Sequence, residues 1–416
     1  MTLIITKYFE VDDMHRLSVA KDHGAYSSLE KLFQMSPSDV VDEVGKSKHV
    51  GRGGAGFPVW NKWNFIPPNS DKPVHLIVNA DESEPGTFKD RAILERDPHL
   101  LIEGMMVAAY ALGVKKIFVY FRGEYRFQWK RFIEALTQAE DEGLFSSEAF
   151  KCDVIVHRGG GAYICGEETA LIRSIEGERG LPKEKPPFPV TEGLFGAHTV
   201  IHNVETLCSL PFIISNGADA FASIGTEKSK GTKLISISGH VESPGVYEVV
   251  MGTPVASVLA THAGGTLGGR RLKAVVPGGT SVPVLNSEEA LGARIDFESM
   301  KEAGSLLGSG GMMVLDESAC TVRFLSDVAR FYANESCGQC TPCREGTGWI
   351  KKILNGIESG AGSDRDVQLL VDVAEGIKGK SICPLADSLV VSVQSFVRKF
   401  REEFKQHVKL GCCPFN

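Results

Sequence analysis

Three cysteines stand in the run Cys337-Gly-Gln-Cys340-Thr-Pro-Cys343, and no other feature of the chain so narrows what it can fold into. Three thiolates at two equal gaps can occupy three corners of a cubane, and Gly338 and Pro342 let so short a loop close around it. The run is the C-x2-C-x2-C half of a [4Fe–4S] site without the nearby fourth cysteine of bacterial ferredoxins. The fourth ligand must come from a distance. Cys383 leads, because residues 378–381 read as a loop and Cys383-Pro384 opens the last helix; Cys320, which precedes a helix, and Cys412 and Cys413 in the tail stay open. A zinc site would more usually pair two separate C-x2-C units.

The remaining cysteines fit a reducing compartment. There are ten in all, and the N-terminus offers only Met1, Leu3, Ile4 and Ile5 as apolar residues before Lys7, too few for a secretion signal. The most apolar long stretch, residues 100–121, is interrupted by Glu103, Lys115 and Lys116, which argues against a membrane span. The expected location is therefore cytoplasmic. A net charge of −7 excludes a uniformly basic nucleic-acid binder, while a local basic cleft could still hold an anionic cofactor.

At 416 residues the chain has room for two to three domains, and three compositional regions are visible. From about 25 to 225, helical patterns alternate with β-branched runs at 74–79, 116–121 and 153–156, as in a buried α/β sheet. Residues 225–232 (GTEKSKGT) read as a linker. Strand-like runs at 234–238, 246–250, 273–276 and 312–315, with a helix at 254–262, suggest a small α+β unit. Beyond Cys320 the apolar period becomes helical four times over, the last stripe running from Leu389 through Phe400 to Phe404 on one long helix. The expected division is 1–230, 231–317 and 318–416.

Three polar or glycine-rich segments interrupt the first region. Gly51-Arg52-Gly53-Gly54-Ala55-Gly56 matches G-x-G-x-x-G, but a helix rather than a strand precedes it, so it is no ordinary dinucleotide fingerprint. Its bare backbone can still approach a flat ring or a phosphate. A second loop, Gly159-Gly160-Gly161, lies between a strand and a helix, the context in which α/β folds hold phosphates. Glu167 and Glu168 at that helix start suit sugar hydroxyls better than phosphate, unless they serve only the helix dipole. Asn79-Ala80-Asp81-Glu82-Ser83-Glu84 closes a strand, where α/β sheets place ligands.

Taken together, Gly51 to Pro58 with Lys62-Trp63, NADESEPGTFKDR (79–91), AYICGEETAL (162–171), KPPFP (185–189), NVETL (203–207) and ESCGQCTPCR (335–344) resemble the NADH-binding flavoprotein (51-kDa-type) subunits of respiratory complex I. The resemblance runs from about Gly24 to Phe400. It implies a Rossmann-like FMN/NADH domain, a small ubiquitin-like domain and a C-terminal four-helix bundle with one [4Fe–4S] cluster. It also implies hydride transfer from NADH to FMN, then single-electron transfer to the cluster.

Residue by residue, it implies FMN contacts at Gly51, Arg52, Gly53, Gly54, Lys62 (near the phosphate), Asn79, Asp81, Glu82, Gly166, Glu167, Asn203 and Thr206. Phe57, Phe65, Tyr163, Lys185 and Phe188 fall on or near the NADH side, as do Glu84 and Glu168, which the resemblance implies as the catalytic residues. Cys337, Cys340, Cys343 and Cys383 match the cluster ligands. Where the family usually carries two asparagines before Val-Glu-Thr, this chain has His202-Asn203, and a ring N–H of His202 would reach the phosphate. The implied partners are a [2Fe–2S] thioredoxin-like subunit and the large iron–sulfur subunit, with peripheral attachment to the inner membrane through them, no span of its own and no nucleic acid. The same module serves as the diaphorase part of NAD-linked hydrogenases and formate dehydrogenases.

Overall fold

The β-branched runs of the first region pair into one parallel sheet. In the computed structural model, which describes residues 3–68 and 70–415, its strands are β1 (Val74–Ala80), β2 (Lys116–Phe121), β3 (Asp153–Arg158) and β4 (His198–Asn203). Their order is β3-β2-β1-β4, every neighbouring pair parallel. Leu76, Ile77 and Val78 of β1 have no exposed surface, as a central strand covered on both faces requires. The chain moves to one side of β1 for β2 and β3 and comes back on the other side for β4. That reversal opens a crevice at the carboxyl ends of β1 and β4.

The long apolar stretch after Asp97 splits into a helix, Pro98–Ala111, and then β2. Asp97 caps the helix by accepting the Leu100 N–H at 3.1 Å, and Pro98 supplies a ready-made first-turn φ. Glu103 inside it is buried but satisfied, accepting the backbone N–H groups of Tyr26 and Ser28 at 2.8 and 3.1 Å. Gly104 is obligatory: a Cβ there would stand 2.2 Å from the Leu207 carbonyl oxygen, so only glycine lets this helix lie against Val204–Cys208.

A second sheet contains β5 (Thr232–Gly239), β6 (Gly245–Val250), β7 (Leu272–Val276), β8 (Leu285–Asn286) and β9 (Gly311–Asp316). Its order is β6-β5-β9-β7-β8, with β5 and β9 parallel and the other pairs antiparallel. Helix Val255–Thr261 packs Val255, Val258 and Leu259 onto Ile235 and Val314 of this sheet. The stretch 225–232 is not the free tether that its composition suggested. Gly225 and Lys230 form an antiparallel bridge, the Thr226 N–H donates to Ser229 O at 2.9 Å, and Ser229 is fully buried. Its small polar residues serve a tight turn between packed units.

The C-terminal bundle is Thr321–Glu335, Thr341–Glu358, Asp364–Ile377 and Leu385–Lys399. The apolar stripe expected on one long final helix is broken at Phe400 (φ −122°, ψ 28°), and a fifth helix, Arg401–Leu410, follows. The bend keeps the stripe on the bundle, since Phe404 and His407 remain fully buried beyond it. One face of the parallel sheet (Ile77, Phe118, Ile201) shares a continuous apolar core with the bundle residues Leu325 and Leu385. The cysteine-bearing end of the bundle therefore sits beside the crevice.

Candidate cofactor cavity and cysteine cluster

A cavity of about 350 Å³ fills the crevice at the carboxyl ends of β1 and β4. Gly53, Asn79, Asp81 and Asn203 line it from the sheet side, Tyr163 and Gly166 from the turn before helix Glu168–Ile175. Ser281 and Ser309 face it from the second sheet, and Cys383, Pro384 and Leu385 from the bundle. All three parts of the chain thus meet at one hole. Its size and mixed lining are those of a site for a small cofactor.

The polar lining is fixed by its own hydrogen bonds. Asn79 Nδ2 donates to Gly166 O at 3.0 Å, and Asn79 Oδ1 accepts the Asp81 N–H at 3.0 Å. Gly53 must be glycine, because a Cβ would fall 2.9 Å from Cβ of Asn203. Glu84 accepts from Tyr163 Oη (2.7 Å), Thr280 Oγ1 (3.1 Å) and the Ser281 N–H (2.9 Å), which joins the sheet loop to the second unit. Glu82 accepts the N–H groups of Asp90 and Arg91 and the Tyr125 hydroxyl.

Asp81 is the exception. Ser83 donates to its Oδ1 at 3.2 Å, whereas its buried Oδ2 has no partner among the described residues. Burial pushes its carboxyl up to about 7. A buried acceptor facing a cavity without a donor is what a bound N–H or O–H group would satisfy. With the flat backbone at Gly53 and Gly166, these residues fit a planar, hydrogen-bonding ring system such as a flavin.

This gives a pH expectation. The folded value of Asp81, about 7, lies above the ordinary 3.8, so the folded chain binds that proton more tightly than the unfolded one. The resulting stability is fully present below about pH 4 and is lost as pH rises through 7. Asp81→Asn should therefore stabilise the cofactor-free chain at pH 8 by up to about 4 kcal/mol. The gain should vanish below about pH 4, as read by urea denaturation across that range. An equal gain at every pH would mean that the ionised carboxylate is not the cause.

A charge cluster that no motif in the sequence announces reaches the cavity lining through Lys89 and Asp90. Glu205, fully buried, meets Lys233 Nζ and Lys89 Nζ at 2.9 Å each and accepts the Leu234 N–H at 2.7 Å. Lys89 also pairs with Asp90 at 2.6 Å and reaches Asn203 Oδ1 at 3.2 Å. Burial opposes the charge of Glu205, but Lys233, Lys89 and Arg52 hold its carboxyl down at about 2. Burial lowers Lys233 to about 8. Lys233 also donates to Arg52 O and Ser309 O, so the cluster fixes the glycine loop and the second unit together. Lys89, Asp90 and Glu205 stand in stretches already singled out (NADESEPGTFKDR, NVETL), but nothing in their spacing shows that they converge.

Of the other expected residues, Lys185 and Glu168 meet the cavity edge through Glu167, which lines it. Lys185 Nζ lies 2.5 Å from Glu168 and 3.1 Å from Glu167. Burial lowers Lys62, against the pull of Glu168, and its Nζ donates to Ile201 O at 3.0 Å. Phe57 and Phe65 are exposed with ring centroids 6.1 Å apart, and Phe188 is exposed as well. Glu167 lines the cavity and also caps its helix, accepting the N–H groups of Thr169 and Ala170.

Gly51, Arg52, Gly54 and His202 are not among the residues that line the cavity. Gly51 N–H donates to Phe57 O at 2.8 Å, closing the glycine loop, while a Cβ on Gly54 would meet only open space. Arg52 is fully enclosed: its N–H donates to Thr206 Oγ1 at 2.8 Å and its Nη2 to Lys230 O at 2.5 Å. Its Nε and Nη1 have no partner among the described residues. His202 is buried and kept neutral by burial, its Nε2 accepting the Trp63 indole N–H at 2.7 Å.

The cysteine loop joins the first two bundle helices. Cys340 precedes Thr341–Glu358, Cys343 sits in its first turn, and Gly338 holds φ +81°, a backbone state that glycine adopts freely. Arg179 donates to Cys337 O at 3.1 Å and Arg344 to Gly338 O at 2.7 Å. The Ile382 N–H points at Cys340 Sγ at 3.4 Å, which brings the 382–383 turn against the loop. Burial raises the Cys343 and Cys383 thiols, Cys383 to about 11, and the neighbouring cysteines add to both shifts. Two buried thiols held in the neutral form beside two more sulfurs suit a cationic metal centre, so the donor set fits an iron–sulfur cluster. Cys320 and Cys413, the rival fourth ligands, lie together elsewhere, beside Glu358 and His407. Cys412 is exposed in the tail.

A parallel-sheet cavity at a switch point, lined on one side by Cys383 next to the 337–343 cysteine loop, defines a flavin- and iron–sulfur-dependent oxidoreductase subunit. Three family models match: the Nuo51 FMN-binding domain over residues 44–211, the SLBB domain over 234–285, and the NADH-ubiquinone oxidoreductase-F iron–sulfur binding region over 323–407. The F-type subunit of an NADH-quinone oxidoreductase of Rhizobium meliloti (strain 1021), the one numbered 2 there, is 45% identical over 99% of both chains. The corresponding F-type subunit of Mycobacterium tuberculosis (strain H37Rv) is 44% identical over 100% of this chain and 96% of its own. A chain of the NAD+-reducing [NiFe]-hydrogenase in the air-oxidized state superposes with a TM-score of 0.84 at 35% identity, over 98% of this chain and 67% of that one. The chain belongs to the family of F-type subunits of NADH-quinone oxidoreductase. Among the described residues no helix is long and apolar enough to cross a membrane.

Proposed function

We propose that the chain oxidises NADH, using FMN in the cavity at β1 and β4, and delivers the electrons to a [4Fe–4S] cluster as the electron-input subunit of an NADH:quinone oxidoreductase. The observation that carries this reading is that Cys383 lines the same cavity as Asn79, Asp81, Gly166 and Asn203. When bound, FMN takes a hydride in one step and gives up electrons one at a time. The units 1–230, 231–317 and 318–416 would then hold FMN and NADH, the ubiquitin-like spacer and the cluster respectively.

The roles of the chain's own residues follow from their placement. Asp81 Oδ2 would accept a ring N–H, Asn79 and Asn203 would hold the ring edge, and Gly53 and Gly166 keep the wall flat. Lys89, positively charged in the cavity lining, and Lys62 would offset the cofactor's phosphate, with the backbone of Gly51, Gly53 and Gly54 close by. Glu84, tied to Tyr163, Thr280 and Ser281, keeps the sheet loop closed over the reacting face. Phe57, Phe65 and Phe188 offer exposed rings for the adenine to stack on. Cys337, Cys340, Cys343 and Cys383 would ligate the cluster. Partners of the assembly are a [2Fe–2S] thioredoxin-like subunit and the large iron–sulfur subunit, and through them the chain is peripheral to the inner membrane on its cytoplasmic side.

Purified chain should contain FMN and iron and should bleach in the flavin and cluster bands when NADH is added anaerobically. Bleaching by dithionite but not by NADH would reject NADH as the donor.

Glu168 would accept the hydroxyls of the adenosine ribose and repel a 2′-phosphate. Its Lys185 partner at 2.5 Å moderates that repulsion. Glu168→Ala should weaken NADH use and raise the NADPH-to-NADH ratio of kcat/KM about tenfold, measured with ferricyanide. A ratio that stays the same would shift the selection to Glu167.

A further inference from the structure

At the far end of the cysteine-bearing hairpin, Cys320, Glu358, His407 and Cys413 bring one ligand atom each to within 4.8 Å of one another. The structure assigns these four residues as a second, mononuclear metal site, of the class that takes Zn²⁺, separate from the cavity and the cysteine cluster. Cys320 Sγ lies 3.3 Å from His407 Nε2, and Glu358 Oε2 lies 3.4 Å from that nitrogen and 3.9 Å from the sulfur. Tetrahedral zinc, with Zn–S of about 2.3 Å and Zn–N of about 2.0–2.1 Å, sets neighbouring ligand atoms roughly 3.4–3.8 Å apart. The separations among Cys320, Glu358 and His407 are close to those, and the Cys413 sulfur lies within 4.8 Å of all three.

Each group is held as a metal ligand would be. His407 is fully buried, and its Nδ1–H donates to Glu403 O at 2.7 Å, which leaves Nε2 as a lone pair aimed at the cluster. A backbone carbonyl on the far ring nitrogen is the usual outer partner of a zinc-bound histidine. Cys320 occupies the N-cap of helix Thr321–Glu335, where its sulfur accepts the Arg323 N–H at 3.3 Å. Glu358 ends helix Thr341–Glu358, where a carboxylate opposes the helix dipole and gains from a cation. Its other oxygen is held by Arg323 Nε at 2.8 Å. Cys413 is buried although it lies past the last helix.

Two thiolates, one neutral imidazole and one carboxylate make a closed site without an open position, so its role is structural. The ligands come from the start of the first bundle helix, the end of the second, the fifth helix and the tail. One ion would fasten all of them. The site is roughly 22 Å from the cysteine loop along the 15-residue first helix, and zinc carries no electrons.

The test is metal analysis of the full-length purified chain after dialysis against zinc and then against metal-free buffer. About one zinc per chain is expected, with a zinc-edge X-ray absorption shell of two sulfurs at about 2.3 Å and two light atoms at about 2.0–2.2 Å. His407→Ala and Cys413→Ser should each lose the zinc while iron and FMN stay. If either variant fails to fold, the absorption shell of the parent chain decides alone. Trace zinc, a shell of four sulfurs or of none, a Cys320–Cys413 disulfide, or zinc retained in both variants overturns the assignment.

Discussion

Cys383→Ser is expected to abolish the EPR signal of the reduced [4Fe–4S] cluster and to lower the iron content, while FMN stays bound. Three clustered thiolates leave one iron without a cysteine, and Cys383 is the cysteine that the 382–383 turn presses against Cys340. The thiols of Cys337 and Cys343 both act on that of Cys383. Cys320 and Cys413 cannot substitute, because they stand with His407 and Glu358 at the opposite end of the hairpin. Serine is nearly isosteric, so the cavity wall that Cys383 shares keeps its shape and the flavin should remain. An unchanged signal would remove Cys383 from the cluster and, with it, the contact between cluster and cavity.

The second large effect is on folding. Glu205→Ala should destabilise the chain by about 3–5 kcal/mol, because it leaves buried cations without their shared counter-ion. Lys233 has no other carboxylate at ion-pair distance among the described residues, whereas Lys89 keeps Asp90 at 2.6 Å. Above the acid range the loss should shrink as pH rises toward about 8, because Lys233, already lowered by burial, sheds its proton at still lower pH once Glu205 is gone. The sign follows from linkage: a lysine lowered in the folded state binds fewer protons folded than unfolded, so stability rises with pH. Denaturant titrations of parent and variant at pH 6 and pH 9 measure both effects. A penalty below about 1 kcal/mol would show that the cluster adds little to the docking of the second unit.

Much of the fold was legible because it rests on local periodicity. The runs at 74–79 and 116–121 are β-branched and largely apolar, and they became β1 and β2 almost residue for residue. The cysteine loop was legible because its ligands are adjacent in sequence. The stretch 225–232 was misread because a composition of Gly, Ser and Lys is the same for a tether and for a bridged turn. The break at Phe400 was hidden because the apolar stripe continues across the bend to Phe404. Lys89, Glu205 and Lys233 were missed for a different reason: a buried ion cluster has no period, and its members meet only through the tertiary fold. Likewise, Cys320 and Cys413 could be weighed only as spare cluster ligands until His407 and Glu358 were seen between them.

The central claim is that one cavity couples the flavin to the cluster, and EPR of NADH-treated chain with and without FMN tests it most directly. The chain is stripped of FMN, shown to retain its iron, and divided, one half being reloaded with FMN. With NADH added anaerobically, the reloaded half should develop the reduced-cluster signal and the stripped half should not. A cluster signal of equal size in both halves, or none in the reloaded half when dithionite elicits one, would contradict the account.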